Sequence, residues 1–221
     1  GLAAGATAVD VFTYTITDGA LSASAELLIT VTGVNDAPIA VANTNEVPEN
    51  GAIDLAAASS VLGDDADVDG DALTVSSIRT GNVAATNGAQ GEIGSTLVGA
   101  YGVLTLNADG QYSYATTASA VDGLAAGATA VDVFTYTITD GALSASAELL
   151  ITVTGVNDAP IAVANTNEVP ENGAIDLAAA SSVLGDDADV DGDALTVSSI
   201  RTGNVAATNG AQGEIGSTLV G

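Results

Sequence analysis

The sequence predicts an all-β protein built as a tandem array of antiparallel Greek-key β-sandwich domains, and three observations predict it. Short segments alternate apolar and polar residues at a period of two and are separated by turn signals. The chain repeats itself at a shift of 122 residues, residues 1–99 matching residues 123–221 without a difference. Nothing reads as a long helix, and the aromatics are two Phe and five Tyr, with no Trp.

A period of that length is a domain rather than a solenoid unit, so each repeat is expected to have its own core. The segment Thr32-Gly33-Val34-Asn35-Asp36-Ala37-Pro38 returns as Thr154-Gly155-Val156-Asn157-Asp158-Ala159-Pro160 and reads as a joint. An alternating strand runs into it, and a proline that cannot continue a sheet ladder leaves it. Cut there, the chain holds the C-terminal part of one repeat (1–33), a complete repeat (34–155) and the N-terminal part of the next (156–221). Neither fragment has enough chain to bury a core alone, so the sequence reads as an excerpt of a longer array.

Within the complete repeat, Ile39–Ala42 reads as a first strand and Glu46–Gly51 as a corner bent by Pro48. Ile53–Leu62 fits either a strand or a helical turn. The acidic run Gly63–Asp71 precedes a strand at Ala72–Ser76, and the Gly- and Ala-rich stretch 81–99 reads as a long loop or an edge strand. Val103–Leu106 and Gln111–Tyr114 flank Asn107-Ala108-Asp109-Gly110, a hairpin signature. Val131–Thr139 and Ala145–Val153 close the repeat around the turn Asp140-Gly141. About seven short strands of this kind indicate an Ig-like sandwich, with Tyr112, Tyr114, Phe134 and Tyr136 in its core.

The charge is one-sided, with 28 acidic residues against Arg79 and Arg201 and no His, Cys or Met. Such a field repels phosphate and anionic lipid and recruits cations, which excludes nucleic acid and membrane insertion as partners. The chain is nevertheless 47% apolar, so it is no disordered acidic tail. No disulfide can brace it, and metal is the other brace open to an exported domain. No transmembrane run or signal peptide is seen.

Five carboxylates fall between Asp64 and Asp71, namely Asp64, Asp65, Asp67, Asp69 and Asp71, and they recur as Asp186, Asp187, Asp189, Asp191 and Asp193. A solvated acidic turn is the bland reading. Charges this dense oppose folding unless neutralised, and no basic residue is near. Oxygen ligands without His or Cys select Ca2+. Asp65-x-Asp67-x-Asp69-Gly70 also opens like an EF-hand loop, but the twelfth position is Ser76 and no helices flank it, so that motif is rejected.

Several motifs together resemble a known family. The Val-Asn-Asp-Ala-Pro joints, Asp132-x-Phe134-Thr135-Tyr136-Thr137-Ile138-Thr139-Asp140-Gly141, Leu104-x-Leu106-Asn107-x-Asp109-Gly110-x-Tyr112-x-Tyr114 and Asp67-x-Asp69-Gly70-Asp71-x-Leu73 are similar to the VCBS and bacterial cadherin-like repeats of large exported RTX-type adhesins. The resemblance covers the whole repeat. It implies calcium at the domain joints, held by Glu49, Asp132, Asn157, Asp158, Asp187 and Asp189 at one joint. At the earlier joint the matching set is Asp10, Asn35, Asp36, Asp65, Asp67 and Asp140, while Asp69, Asp71, Asp191 and Asp193 are metal candidates through the density of the acidic runs. Gly33 and Gly155 stand where the cadherin linker has its first aspartate, which implies fewer or weaker ions. Asp140 and Asp18 precede glycines and fit turn stabilisation equally well, and Glu49 also fits a cap of its corner.

The expected function is a calcium-stiffened extender at the bacterial cell surface, with adjacent identical repeats and calcium ions as its partners. Identical copies suit a spacer, which needs length rather than variety. Two other readings stand beside it. Repeats could associate laterally or exchange strands into a filament or surface layer, or bind glycan or protein, although exposed aromatic platforms are scarce. Catalysis is not expected, since no His, Cys or Lys is available as base or nucleophile.

Overall fold

The structure, a computed structural model, describes residues 1–54, 60–173, 183–205 and 212–213. It divides into two compact units, one of residues 1–121 and 129–154 and the other of residues 122–128 and 155–221. Among the described residues the architecture is all-β, as the alternation predicts, apart from a four-residue helix α1 at Ala118–Val121.

The first unit begins with a hairpin, β1 (Thr7–Thr17) and β2 (Ser22–Thr32), joined by the Asp18-Gly19 turn. Residues 43–154 follow as a sandwich. One sheet comprises β3 (Asn43–Pro48), β11 (Ser144–Thr154), β10 (Thr129–Thr139), β5 (Thr74–Thr80) and β6 (Gln90–Gly91), in that spatial order. The other comprises β4 (Ala52–Asp54), β9 (Tyr112–Thr116), β8 (Gly102–Leu106) and β7 (Thr96–Val98).

Period-two alternation fills the space between the sheets. On β10 and β11 the residues Phe134, Tyr136, Ile138, Leu149, Ile151 and Val153 are completely buried, and Leu104, Leu106 and Tyr114 are buried on the other sheet. Tyr114 and Phe134 pack edge to face with ring centroids 6.3 Å apart, a favourable quadrupole arrangement. A register shift on β10 between Thr137 and Ile138 lets Ile138 pair with Val75 across β5.

Several boundaries depart from the sequence reading. The first strand is Asn43–Pro48 rather than Ile39–Ala42, and Ile39 makes only an isolated bridge to Ala66. It pairs parallel with β11, Leu149 opposite Asn43 through Thr154 opposite Pro48, so the sandwich is not wholly antiparallel. Asn43 and Asn45 explain the difference. Their amides reach inward to donate to the hydroxyls of Tyr136 and Tyr112, each at 3.0 Å, so a segment that looks polar still presents an inner face. The parallel pairing also means that the chain enters this repeat at one end and leaves it at the other. Stretch 81–99 supplies short edge strands to both sheets, β6 and β7. Of Ile53–Leu62, Ile53 belongs to β4, whereas residues 55–59 lie outside the described residues.

In the second unit, the described residues include the Ile161–Ala188 bridge and a pair of short strands, β12 (Ile200–Arg201) and β13 (Gln212–Gly213). Gly155 exchanges backbone hydrogen bonds with Gly127 and Ala128 there, at 2.9 and 2.8 Å.

Candidate metal centre

The acidic loop Asp67-Val68-Asp69-Gly70-Asp71 is a turn shaped by its own carboxylates. Asp67 Oδ1 accepts the backbone N–H groups of Asp69 at 2.8 Å and Asp71 at 3.3 Å, the local bonding to which short carboxylate side chains are suited. Gly70 occupies the left-handed region at φ +83°, a conformation that costs a side-chain-bearing residue dearly. Asp69 Oδ2 reaches out of the loop and accepts the N–H of Asp36, in the joint, at 2.8 Å.

That leaves Asp67 Oδ2 and Asp69 Oδ1, both buried and without a hydrogen-bond partner. One oxygen each from Asp67, Asp69 and Asp71 lies within 4.8 Å of the others. The second copy reproduces the arrangement. Asp189 Oδ1 accepts from Asp191 and Asp193 at 3.0 and 3.3 Å, Asp191 Oδ2 accepts from Asp158 at 2.8 Å, and Asp191 Oδ1 is buried without a partner. Asp189, Asp191 and Asp193 likewise converge to within 4.8 Å. Like charges so close repel, and orphaned buried carboxylate oxygens are costly, so a hard cation fits this donor set.

The remaining sequence-predicted residues fall into different surroundings. Asp65 Oδ1 accepts the Val41 N–H at 2.7 Å and lies 3.4 Å from the Tyr136 hydroxyl, which itself donates to Val41 O at 2.6 Å. Burial pushes the Asp65 carboxyl above the usual range, and burial next to Asp65 pushes the Tyr136 hydroxyl up as well. Asp65 therefore pins the segment ahead of β3 to the sandwich, and Asp187 holds Val163 in the same way at 2.7 Å.

Asp140 does two things. Its Oδ1 accepts the N–H groups of Ala142 and Leu143 at 2.6 and 2.7 Å, closing the β10–β11 turn, while Oδ2 accepts from Asn35 Nδ2 at 2.8 Å. The backbone bonds from Leu143 and Ala142, then the Asn35 amide, hold its carboxyl below the ordinary range. Asn35 also donates to Asp36 O at 3.0 Å, and Asn157 to Asp158 O at 2.8 Å, so these amides brace the joint as donors.

Asp132 stands apart from the acidic loop. It is 3% exposed, and its carboxylate accepts from Ala100 N at 2.6 Å, Tyr101 N at 3.0 Å and the Tyr114 hydroxyl at 2.6 Å. A Cβ on Gly99 would sit 2.5 Å from Asp132 Oδ2, so only glycine lets that loop wrap the carboxylate. Asp132 thus has a structural account of its own, as an anchor for the β7–β8 connection. Burial first, then the bonded carboxylate, raises the Tyr114 hydroxyl pKa. Asp10, its equivalent on β1, is exposed. Glu49 is 3% exposed at the end of β3, where its N–H donates to Thr154 O at 2.8 Å.

Sequence reasoning missed Asn43 and Asn45 as partners of buried tyrosines. Their signal was the i, i+2 spacing that continues to Val47 on one strand face.

Two family models match the chain and agree with this architecture. A family model described as a bacterial cadherin-like domain matches residues 35–155, and one described as a bacterial Ig domain matches residues 157–219. Among solved structures, an endo-fucoidan hydrolase of glycoside hydrolase family 107 is similar at 22% identity and a TM-score of 0.29, over 69% of this chain and 19% of that one. The extracellular cadherin domains 1–4 of protocadherin gamma B7 match at 15% identity and a TM-score of 0.37, over 76% and 37% of the two chains. This chain spans about a fifth of the length of the hydrolase chain it matches. No curated protein sequence matches it. Among the described residues no helix is long and apolar enough to cross a membrane.

Proposed function

Because the chain belongs to the bacterial cadherin-like domain family, we propose that it is a calcium-stiffened extender of an exported bacterial adhesin, a rigid spacer rather than an enzyme or ligand-binding head. The observation that carries this reading is the bond from the Asp36 N–H to Asp69, beside buried carboxylate oxygens of Asp67 and Asp69 that have no partner. The joint and the acidic loop are thereby one local structure. Asp67, Asp69 and Asp71, with Asp36 beside them, would hold calcium ahead of one sandwich, and Asp189, Asp191 and Asp193, with Asp158, ahead of the next. Calcium supplies the positive charge that the loop lacks.

The protein's own residues do the positioning. Asp69 and Asp191 tie the joint N–H groups to the loop, Asp140 and Asn35 tie the joint to the β10–β11 turn, and Asp65 fixes the segment that follows. Without the ion the carboxylates repel one another, and the joint loses the loop as a fixed support. A module of this kind works in a calcium-rich medium outside the cell, where affinities of about 10⁻⁴ to 10⁻³ M suffice.

Thermal melting of the chain in calcium and then in excess chelator tests the proposal. It expects a higher melting temperature in calcium, reversed by chelation and not reproduced by an equal ionic strength of sodium chloride. Identical melting in all three conditions would contradict it.

A further inference from the structure

The dipeptide Asn-Gly occurs four times in this chain, beginning at Asn50, Asn87, Asn172 and Asn209, the last of which lies outside the described residues. In such a pair the glycine nitrogen can reach the asparagine Cγ, because no side chain on the second residue blocks the approach. Asn50 and Asn87 are both exposed, but their backbones differ. Asn50 sits in a turn at φ 57°, where the Gly51 N–H donates to Pro48 O at 3.1 Å and Gly51 O accepts from the N–H and the hydroxyl of Thr116, each at 3.1 Å. Asn172 repeats that turn at φ 62°, with the Gly173 N–H on Pro170 O at 2.8 Å. In both turns the nitrogen is committed to a carbonyl and is held from the side-chain amide.

Asn87-Gly88 lies in the connection from β5 to β6, which is tied down on either side of the pair. Ahead of it, the Val83 N–H donates to Glu148 Oε1 at 2.9 Å. After it, the Thr80 N–H donates to Ala89 O at 3.0 Å and the Ala89 N–H to Thr80 Oγ1 at 2.9 Å. Between these ties, neither the Gly88 N–H nor the Asn87 amide has a hydrogen bond. Glycine is nevertheless obligatory there, since a Cβ on Gly88 would lie 1.8 Å from Thr80 O. The fold thus demands the one residue that leaves Asn87 open to attack, and leaves its nitrogen free.

We propose that Asn87 is a site of spontaneous deamidation, from which their turns protect Asn50 and Asn172. The Gly88 nitrogen gives its proton to a solvent base and attacks Asn87 Cγ, forming a C–N bond. The Cγ–Nδ2 bond breaks, and Nδ2 takes up a proton and leaves as ammonia. Water then opens the five-membered imide at either carbonyl, giving an aspartate or an isoaspartate at that position. No oxidant, metal or enzyme is needed, and nothing in the step depends on calcium. Either product adds a negative charge to the connection. The isoaspartate also lengthens the main chain by one methylene beside Gly88, which is pressed against Thr80 O, so the Thr80–Ala89 bonds open and the edge at β6 loosens with age.

The two arginines make the test direct. Cleavage after Arg79 and Arg201 divides the chain into residues 1–79, which carry Asn50, residues 80–201, which carry Asn87 and Asn172, and residues 202–221, which carry Asn209. The folded 221-residue chain is aged at mildly alkaline pH, cleaved and weighed by mass spectrometry. The piece 80–201 is expected to gain the mass difference of one amide-to-acid conversion while the piece 1–79 stays unchanged, and the gain is expected to vanish in Asn87→Gln, an exposed position where the fold is undisturbed. Aged in urea, where the turns are lost, the piece 1–79 is expected to gain it as well. Hydrogen exchange at the Ala89 amide should be faster in the aged folded chain than in the fresh one. A piece 80–201 that gains no mass from the folded chain would overturn the proposal, as would a gain that persists in Asn87→Gln or a piece 1–79 that reacts as fast in the folded chain.

Discussion

Asp69 accepts the backbone N–H of Asp36 at 2.8 Å across 33 residues of sequence, and Asp191 does the same for Asp158 at the same distance. One carboxylate oxygen thus fixes the joint while its twin stays buried and unbonded in the acidic loop. The first use is structural and survives a change from carboxylate to amide. The second depends on charge.

Asp69→Asn separates the two. Its Oδ1 still accepts the Asp36 N–H, so the chain should fold, but a ligand charge is gone. For wild type, calcium at about 10 mM acting on a site of about 10⁻⁴ to 10⁻³ M adds about 1.4 to 2.7 kcal/mol by mass action. Melting in calcium and in chelator should show that increment for wild type and little of it for the variant.

The repeat supplies an internal control for the core. Phe134 is completely buried and Phe12, in the same sequence, is 51% exposed. Phe134→Ala should cost about 3 to 5 kcal/mol through lost transfer energy and a cavity. Phe12→Ala should change stability by no more than about 0.5 kcal/mol in dilute solution, as surface substitutions do. Urea unfolding followed by tyrosine fluorescence measures both.

How much of this was legible follows from whether the relevant bond is local. The register of β10 on β11 was readable, because alternation and the Asp140-Gly141 turn specify it within 26 residues, and the same register forms in the isolated copy at β1 and β2. The parallel pairing of β3 with β11 was not. It joins residues about a hundred positions apart through a strand whose inner face is two asparagines and a valine. At the site, the acidic loop announced itself by charge density, whereas its tie to Asp36 depends on tertiary approach. Asp132 carried a neglected signal. It is in phase with Phe134, Tyr136 and Ile138, so period two already put it on the inner face, where protein donors receive it.

Tyr114→Phe tests that buried network. The variant keeps the ring against Phe134 and removes the hydroxyl that donates to Asp132, leaving a buried carboxylate short of a donor. The expected loss is about 1 to 3 kcal/mol at neutral pH. Denaturant unfolding of the variant beside wild type checks it, with the calcium increment expected to stay the same.

Acid should act through Asp140. Its folded pKa is held below the ordinary value of 3.8, so its contribution to stability is complete above that value and is lost as pH falls through the lower, folded one. Asp18 behaves likewise through the N–H groups of Leu21 and Ala20. Asp140→Asn should therefore have a flatter stability profile below pH 3.8 than wild type. Urea midpoints collected from neutral to acid pH give the comparison, in chelator so that calcium loss does not contribute.

The central claim is that calcium stiffens the joint, and small-angle X-ray scattering on arrays of two, four and six complete repeats tests it most directly. The account predicts that in calcium the maximum dimension grows in proportion to the number of repeats, and that chelation returns each array to a shorter, flexible string. A scattering profile unchanged by chelation at every length would contradict it.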